Sequence, residues 1–200
     1  MSNFSINGVS KLNIFERFTL SREIKLGEGE IKLDDQRIVI YPASFIGLLA
    51  FKIKNDKEQS KVLYEGMKKG MKEFSFPLGK EYQLTYKDFL DRWIKYCAFA
   101  GWGIVTYQLI KEEKTQGVLQ IKNLPMHRYL KNKGVKEPSD VIFEGLIAGS
   151  LSGTFKSDID VIETACICSG NDVCVYHWGS KNYLMEKFQE ISTKRFGEKV

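Results

Sequence analysis

Glu163, Cys166, Cys168 and Cys174 crowd into one short stretch, which holds three of the four cysteines in the chain. A carboxylate and thiolates on neighbouring strands are donor types for zinc, which takes thiolate, imidazole and carboxylate in a tetrahedron. Cys168 or His177 lies near enough in sequence to complete the set. The same thiols admit two other readings, a redox disulfide from Cys166 or Cys168 to Cys174, or plain packing, since cysteine is among the most often buried residues. Strand alternation bears on the choice: Cys166 and Cys168 fall on one face and Glu163 on the other unless a bulge intervenes.

A second group is aromatic. Trp93, Tyr96, Phe99, Trp102 and Tyr107 concentrate where a helix passes into a strand, a density suited to lining an apolar ligand cavity or to filling an ordinary core. His127, beside Pro125 and Arg128, reads as a surface residue of a polar connector. His177, between Tyr176 and Trp178, reads as a packed or edge histidine. The chain shows no nucleophile elbow, phosphate loop or dinucleotide glycine fingerprint, and no Ser/His/Asp order, so enzyme chemistry is not the leading expectation.

These residues need positioning elements. The thiols sit on an expected hairpin, Val161–Cys168 and Val173–Trp178, turned by Ser169-Gly170-Asn171-Asp172. Before it runs an apolar helix with Gly145, Gly149 and Gly153 at four-residue intervals on one face, capped by Ser139 and suited to close approach of another backbone. Gly66 and Gly70 repeat that spacing in an earlier helix whose stripe is Val62, Leu63, Tyr64, Met67, Met71 and Phe74, and Phe76-Pro77-Leu78-Gly79 breaks its pattern. A preceding helix, Pro42 to Lys54, has Phe45, Ile46, Leu48, Leu49 and Ile53 on its apolar face. Thr85 and Asp88 form a capping box for a third helix, Tyr86 to Phe99. Trp102 to Ile110 and Gly117 to Ile121 read as paired strands, and Met126 to Leu130 as a short helix. Ser180 caps a closing helix that ends near Gly197.

Residues 1–41 read as an arm followed by a small β unit, with strands at Phe18–Leu20, Glu23–Leu26 and Arg37–Ile40. Residues 42–200 read as the main domain. The expected class is α+β, an antiparallel sheet with helices packed mainly on one face. Two hundred residues, 43% hydrophobic and 28% charged, suffice for one globular core. The net charge of +5 comes from lysines spread along the chain, which argues against a nucleic-acid partner. Four cysteines without a signal-like amino terminus suggest a reducing, cytoplasmic setting, and no apolar run approaches the ~20 residues of a membrane span.

Leu63-Tyr64-Glu65-Gly66-Met67-Lys68-Lys69-Gly70, Gly101-Trp102-Gly103, Gly145-Leu146-Ile147-Ala148-Gly149, Val161 to Cys166 and Gly170 to Cys174 together resemble the 4-vinyl reductase domain family of small-molecule or hydrocarbon binding domains. The resemblance covers roughly Arg37 to Trp178. It implies a fold related to nitric-oxide-sensing haem domains and Golgi tethering-complex subunits, a homodimer, an apolar or aromatic ligand, and a signal passed to a downstream regulatory protein. In the family's phenol-sensing activators the related domain also holds a structural zinc. Matched residue by residue, Glu163, Cys166 and Cys174 fall on three of those ligands, and Asp140 stands where the fourth is a cysteine. The competing expectations are an enzyme or enzyme subunit in tetrapyrrole vinyl reduction, as the family name suggests, and a structural assembly subunit.

Overall fold

The structure, a computed structural model, describes residues 24–27, 30–33, 36–39, 41–81, 85–111, 115–136 and 140–196. Contacts divide the chain into two compact units, Met1–Ile40 and Tyr41–Val200. In the first, β1 (Ile24–Gly27), β2 (Glu30–Leu33) and β3 (Gln36–Ile38) form an antiparallel meander. β2 is a strand that residue pattern does not single out, and the arm and the strand expected at Phe18–Leu20 lie outside the described residues.

The second unit runs α1 (Ala43–Ile53), α2 (Lys57–Glu81), α3 (Tyr86–Phe99), β4 (Ile104–Lys111), β5 (Gln116–Lys122), α4 (Pro125–Asn132), α5 (Val141–Phe155), β6 (Asp160–Ala165), β7 (Cys174–Gly179), α6 (Lys181–Lys187) and α7 (Gln189–Phe196). Its four strands are antiparallel in the order β4-β5-β7-β6. The class is α+β, as expected. Paired residues share a face, so register lays out the helix-covered side in rows. Leu109, Gly117, Trp178 and Val161 make one; Tyr107, Leu119, Tyr176 and Glu163 the next; Val105, Ile121 and Cys174 the third. Phe143 of α5 closes over this side, its ring 5.6 Å from Tyr176 and 5.4 Å from Trp102.

α5 is apolar all round and almost wholly buried. Its glycines account for how closely α2 approaches: a Cβ at Gly145 would lie 2.7 Å from the Tyr64 carbonyl oxygen, and one at Gly149 only 2.3 Å from that of Lys68. Gly66 and Gly70 play no such part, since a Cβ at either meets nothing within 4 Å and both are exposed. Val62, expected in the buried stripe, is exposed as well. α2 is also tied to the start of β6 by polar contacts: Tyr64 Oη and Lys68 Nζ donate to Asp160 Oδ1 at 2.8 and 2.6 Å.

Other boundaries differ from expectation. α2 continues through Pro77 to Glu81, although an interior proline removes a backbone donor and crowds the carbonyl four residues back. Asp140 caps α5, its Oδ1 accepting from Phe143 N at 2.9 Å, while Ser139 lies outside the described residues. α1 turns Gly47, Ala50 and Ile53 inward and leaves Phe45 and Leu48 exposed. The closing helix breaks at Phe188 into α6 and α7, with Ser180 capping α6 as read. Among the described residues no helix is long and apolar enough to cross a membrane.

Candidate metal centre

Glu163 enters from the helix-covered side of β6. Past this residue the register of β6 against β7 slips between Glu163 and Ala165, so the strand carries one extra residue before Cys166. Alternation alone sends Cys166 to the opposite face; the bulge cancels that and returns it to the side of Glu163. The chain then leaves the strand in a 3-10 turn, Ile167–Ser169, instead of extending to Cys168. Cys174 opens β7 and faces back across the turn. Two main-chain amides point at the sulfurs, Cys168 N to Cys166 Sγ at 3.2 Å and Ile167 N to Cys174 Sγ at 3.4 Å. Such donors favour thiolates, which are acceptors.

The fourth member comes from α4. His127 is fully buried, not on the surface, because Leu124, Met126 and Leu130 turn this face of α4 into the core. Its Nδ1 lies 2.6 Å from Cys174 Sγ and 3.6 Å from Cys166 Sγ. His127, Glu163, Cys166 and Cys174 each offer one donor atom, all within 4.8 Å of one another and all buried. These residues could hold a metal ion. Four ligands at 2.0–2.3 Å from zinc stand about 3.3–3.8 Å apart along the edges of a tetrahedron; the His127–Cys166 separation of 3.6 Å falls in that range, and the His127–Cys174 contact of 2.6 Å would open on binding.

Asp140, the expected fourth ligand, is not in this set. It lies behind the imidazole: Oδ2 is 3.1 Å from His127 Nε2, the ring nitrogen turned away from the thiols, and accepts from Tyr176 Oη at 3.2 Å. With the ring neutral, a carboxylate there would hold the proton on Nε2 and leave the Nδ1 lone pair for an ion. Cys168 is also outside the set, its Sγ directed to the His127 carbonyl oxygen at 3.7 Å. His177 faces the other side of the sheet, its ring 4.4 Å from that of Phe188. All four cysteines are free thiols and buried.

Electrostatics reflect this packing. Burial alone would keep His127 neutral, but hydrogen bonds to Asp140 and Cys166, with the nearby Asp140 and Glu163 carboxylates, outweigh it and raise its pKa to about 11. Hydrogen bonds from Cys168 and Cys174 pull the Cys166 thiol far below its ordinary range, and sharing with Cys166 pushes those two up. Burial drives Glu163 well above the usual carboxylate range. These shifts hold Glu163 and Cys174 towards their neutral forms, and a dication at the cluster would reverse that, because metal ligands bind deprotonated.

The aromatic group does not gather around one space. Trp93 and Tyr96 line a cleft between α2 and α3 with Met71, Phe74, Ser75, Phe89 and Arg92, whose volume of about 20 Å³ admits about one water. Trp102 packs on Phe143, Tyr107 donates to Asp91 Oδ1 at 2.9 Å, and Phe99 is half-buried.

The α+β architecture is shared with solved structures. The phenol-responsive sensory domain of the transcription activator PoxR, solved with phenol, matches with a TM-score of 0.70 over 100% of this chain and 100% of that one, at 15% sequence identity. A vinyl-4-reductase family protein from Methanocaldococcus jannaschii (TM-score 0.48, 22% identity, 70% of this chain and 82% of that one) is more distant. So is a trafficking protein particle complex subunit 3 from Naegleria fowleri covalently bound to palmitic acid (0.45, 12%, 68% and 93%). No family model and no curated protein matches the sequence. At these identities the likeness to the PoxR domain establishes the fold.

Proposed function

We propose that this chain is a small-molecule sensing domain for an apolar or aromatic ligand, acting as a homodimer and held together by a structural zinc. The observation that carries it is the buried His127–Glu163–Cys166–Cys174 cluster in a fold shared with a phenol-responsive sensory domain. Four protein ligands would close the coordination sphere, which is the arrangement of a structural ion and not a catalytic one. It would tie α4 to the β6–β7 hairpin, two segments far apart in sequence. The ligand would enter the α2–α3 cleft beside Trp93 and Tyr96, widening it by moving α3. A downstream regulatory protein would receive the change.

Two measurements test this. Protein purified without a metal-affinity tag is expected to carry about one zinc per chain, and less than about 0.2 rejects the centre. A thermal-shift panel of small aromatics, tetrapyrroles and lipids is expected to yield at least one stabilising compound, because a ligand selective for the native state raises its stability. The tightness of the cleft favours a second reading, a structural assembly subunit with a filled core, and silence across the whole panel would select it.

A further inference from the structure

β4 is the outermost strand of its sheet and, among the described residues, pairs with β5 alone. From Ile104 to Ile110 it reads Ile-Val-Thr-Tyr-Gln-Leu-Ile, without a charge or a proline. Edge strands are ordinarily guarded by lysine, proline, a bulge or a covering element. Here the only irregularity comes at the far end, between Leu109 and Lys111. Ile104 is 59% and Ile110 40% exposed, and Thr106 and Gln108 between them are exposed too.

The strand is also symmetric in character about Tyr107. An antiparallel strand paired with a copy of itself about a two-fold axis sets residues equally far from the axis opposite one another. With Tyr107 on the axis, Ile104 faces Ile110 of the second copy, Val105 faces Leu109 and Thr106 faces Gln108. Isoleucine thus meets isoleucine at both ends of the outer face, hydroxyl meets amide between them, and no like charges are opposed. A one-residue slip would set outer residues against inner ones. The strand is preorganised for this, since Val105 is buried and the Tyr107 hydroxyl is held by Asp91.

We propose that two copies of the chain associate by antiparallel pairing of β4 with β4 about Tyr107, giving one continuous eight-stranded sheet. The proposal rests on the homodimer of the preceding reading and names its surface.

Light scattering on the full chain is expected to give twice the 23.0 kDa chain mass, and Ile104→Lys or Ile110→Lys is expected to give monomers with unchanged circular dichroism and metal content. Chains carrying Thr106→Cys, co-expressed with chains carrying Gln108→Cys and oxidised, are expected to cross-link several-fold more than either alone, because only directly opposed positions meet disulfide geometry. A monomeric wild type overturns the homodimer and this interface together. A dimer that survives Ile104→Lys and fails to cross-link keeps the homodimer and overturns the β4 pairing, leaving another surface as the contact. If the lysine variants do not fold, the cross-link result decides alone.

Discussion

His127 is engaged at both ring nitrogens, thiols on one side and Asp140 on the other. His127→Ala therefore removes a donor of the proposed centre and also strands a buried carboxylate, a type of loss that costs about 3–5 kcal/mol. Zinc content below about 0.2 per chain, together with a lowered denaturant midpoint, is the expected outcome by metal analysis and urea titration. Asp140→Asn separates the two roles of that residue. An asparagine oxygen can still accept from Phe143 N and cap α5, but its amide cannot accept from Nε2 while doing so. The fold is expected to persist while zinc affinity falls about 10–100-fold, read by competition with a chromophoric chelator.

Helix contacts make a different demand, that of room. Gly149→Ala would drive a methyl into the Lys68 carbonyl and Met71 Cβ, and overpacking of this kind costs about 1–3 kcal/mol. Gly66→Ala and Gly70→Ala, on the open side of α2, are expected to stabilise by about 0.5–1 kcal/mol through helix propensity alone. Chemical denaturation of the three variants should therefore give opposite signs for the same substitution. On the other side of the sheet, burial and then Lys187 hold His177 below the ordinary imidazole value of 6.5. The unfolded chain takes up that proton first, so the contribution of the neutral ring is complete above about pH 6.5 and is lost as pH falls through the folded value. His177→Phe is expected to flatten this part of the slope, measured as the difference in urea midpoint between pH 7.5 and 5.0.

For the whole molecule, the proposed ion is a cross-link between α4 and the hairpin. Stripping it with a chelator is expected to lower the melting temperature by about 5–10 °C, with recovery on adding zinc. That shift corresponds to a few kcal/mol for a chain of this size. In calorimetry the loss should be absent from a Cys166→Ser/Cys174→Ser double variant, which has no centre to lose.

Local chemistry was legible where a residue's neighbours in sequence are also its neighbours in space. The apolar glycine helix, the hairpin turn, the Thr85 and Ser180 caps and the antiparallel class all come from periodicity and turn residues. Glu163, Cys166 and Cys174 stood out by type. Three decisions belonged to the tertiary structure alone. The bulge after Glu163 moved Cys166 to its side of the sheet, and no composition rule marks where such an extra residue falls. The burial of α4 turned His127 from an apparent surface residue into the partner of two thiols, although Met126 and Leu130 at helical spacing were the signal that its face is apolar. The close approach of α2 to α5 settled which glycines matter, because a missing Cβ has consequence only where another backbone comes near.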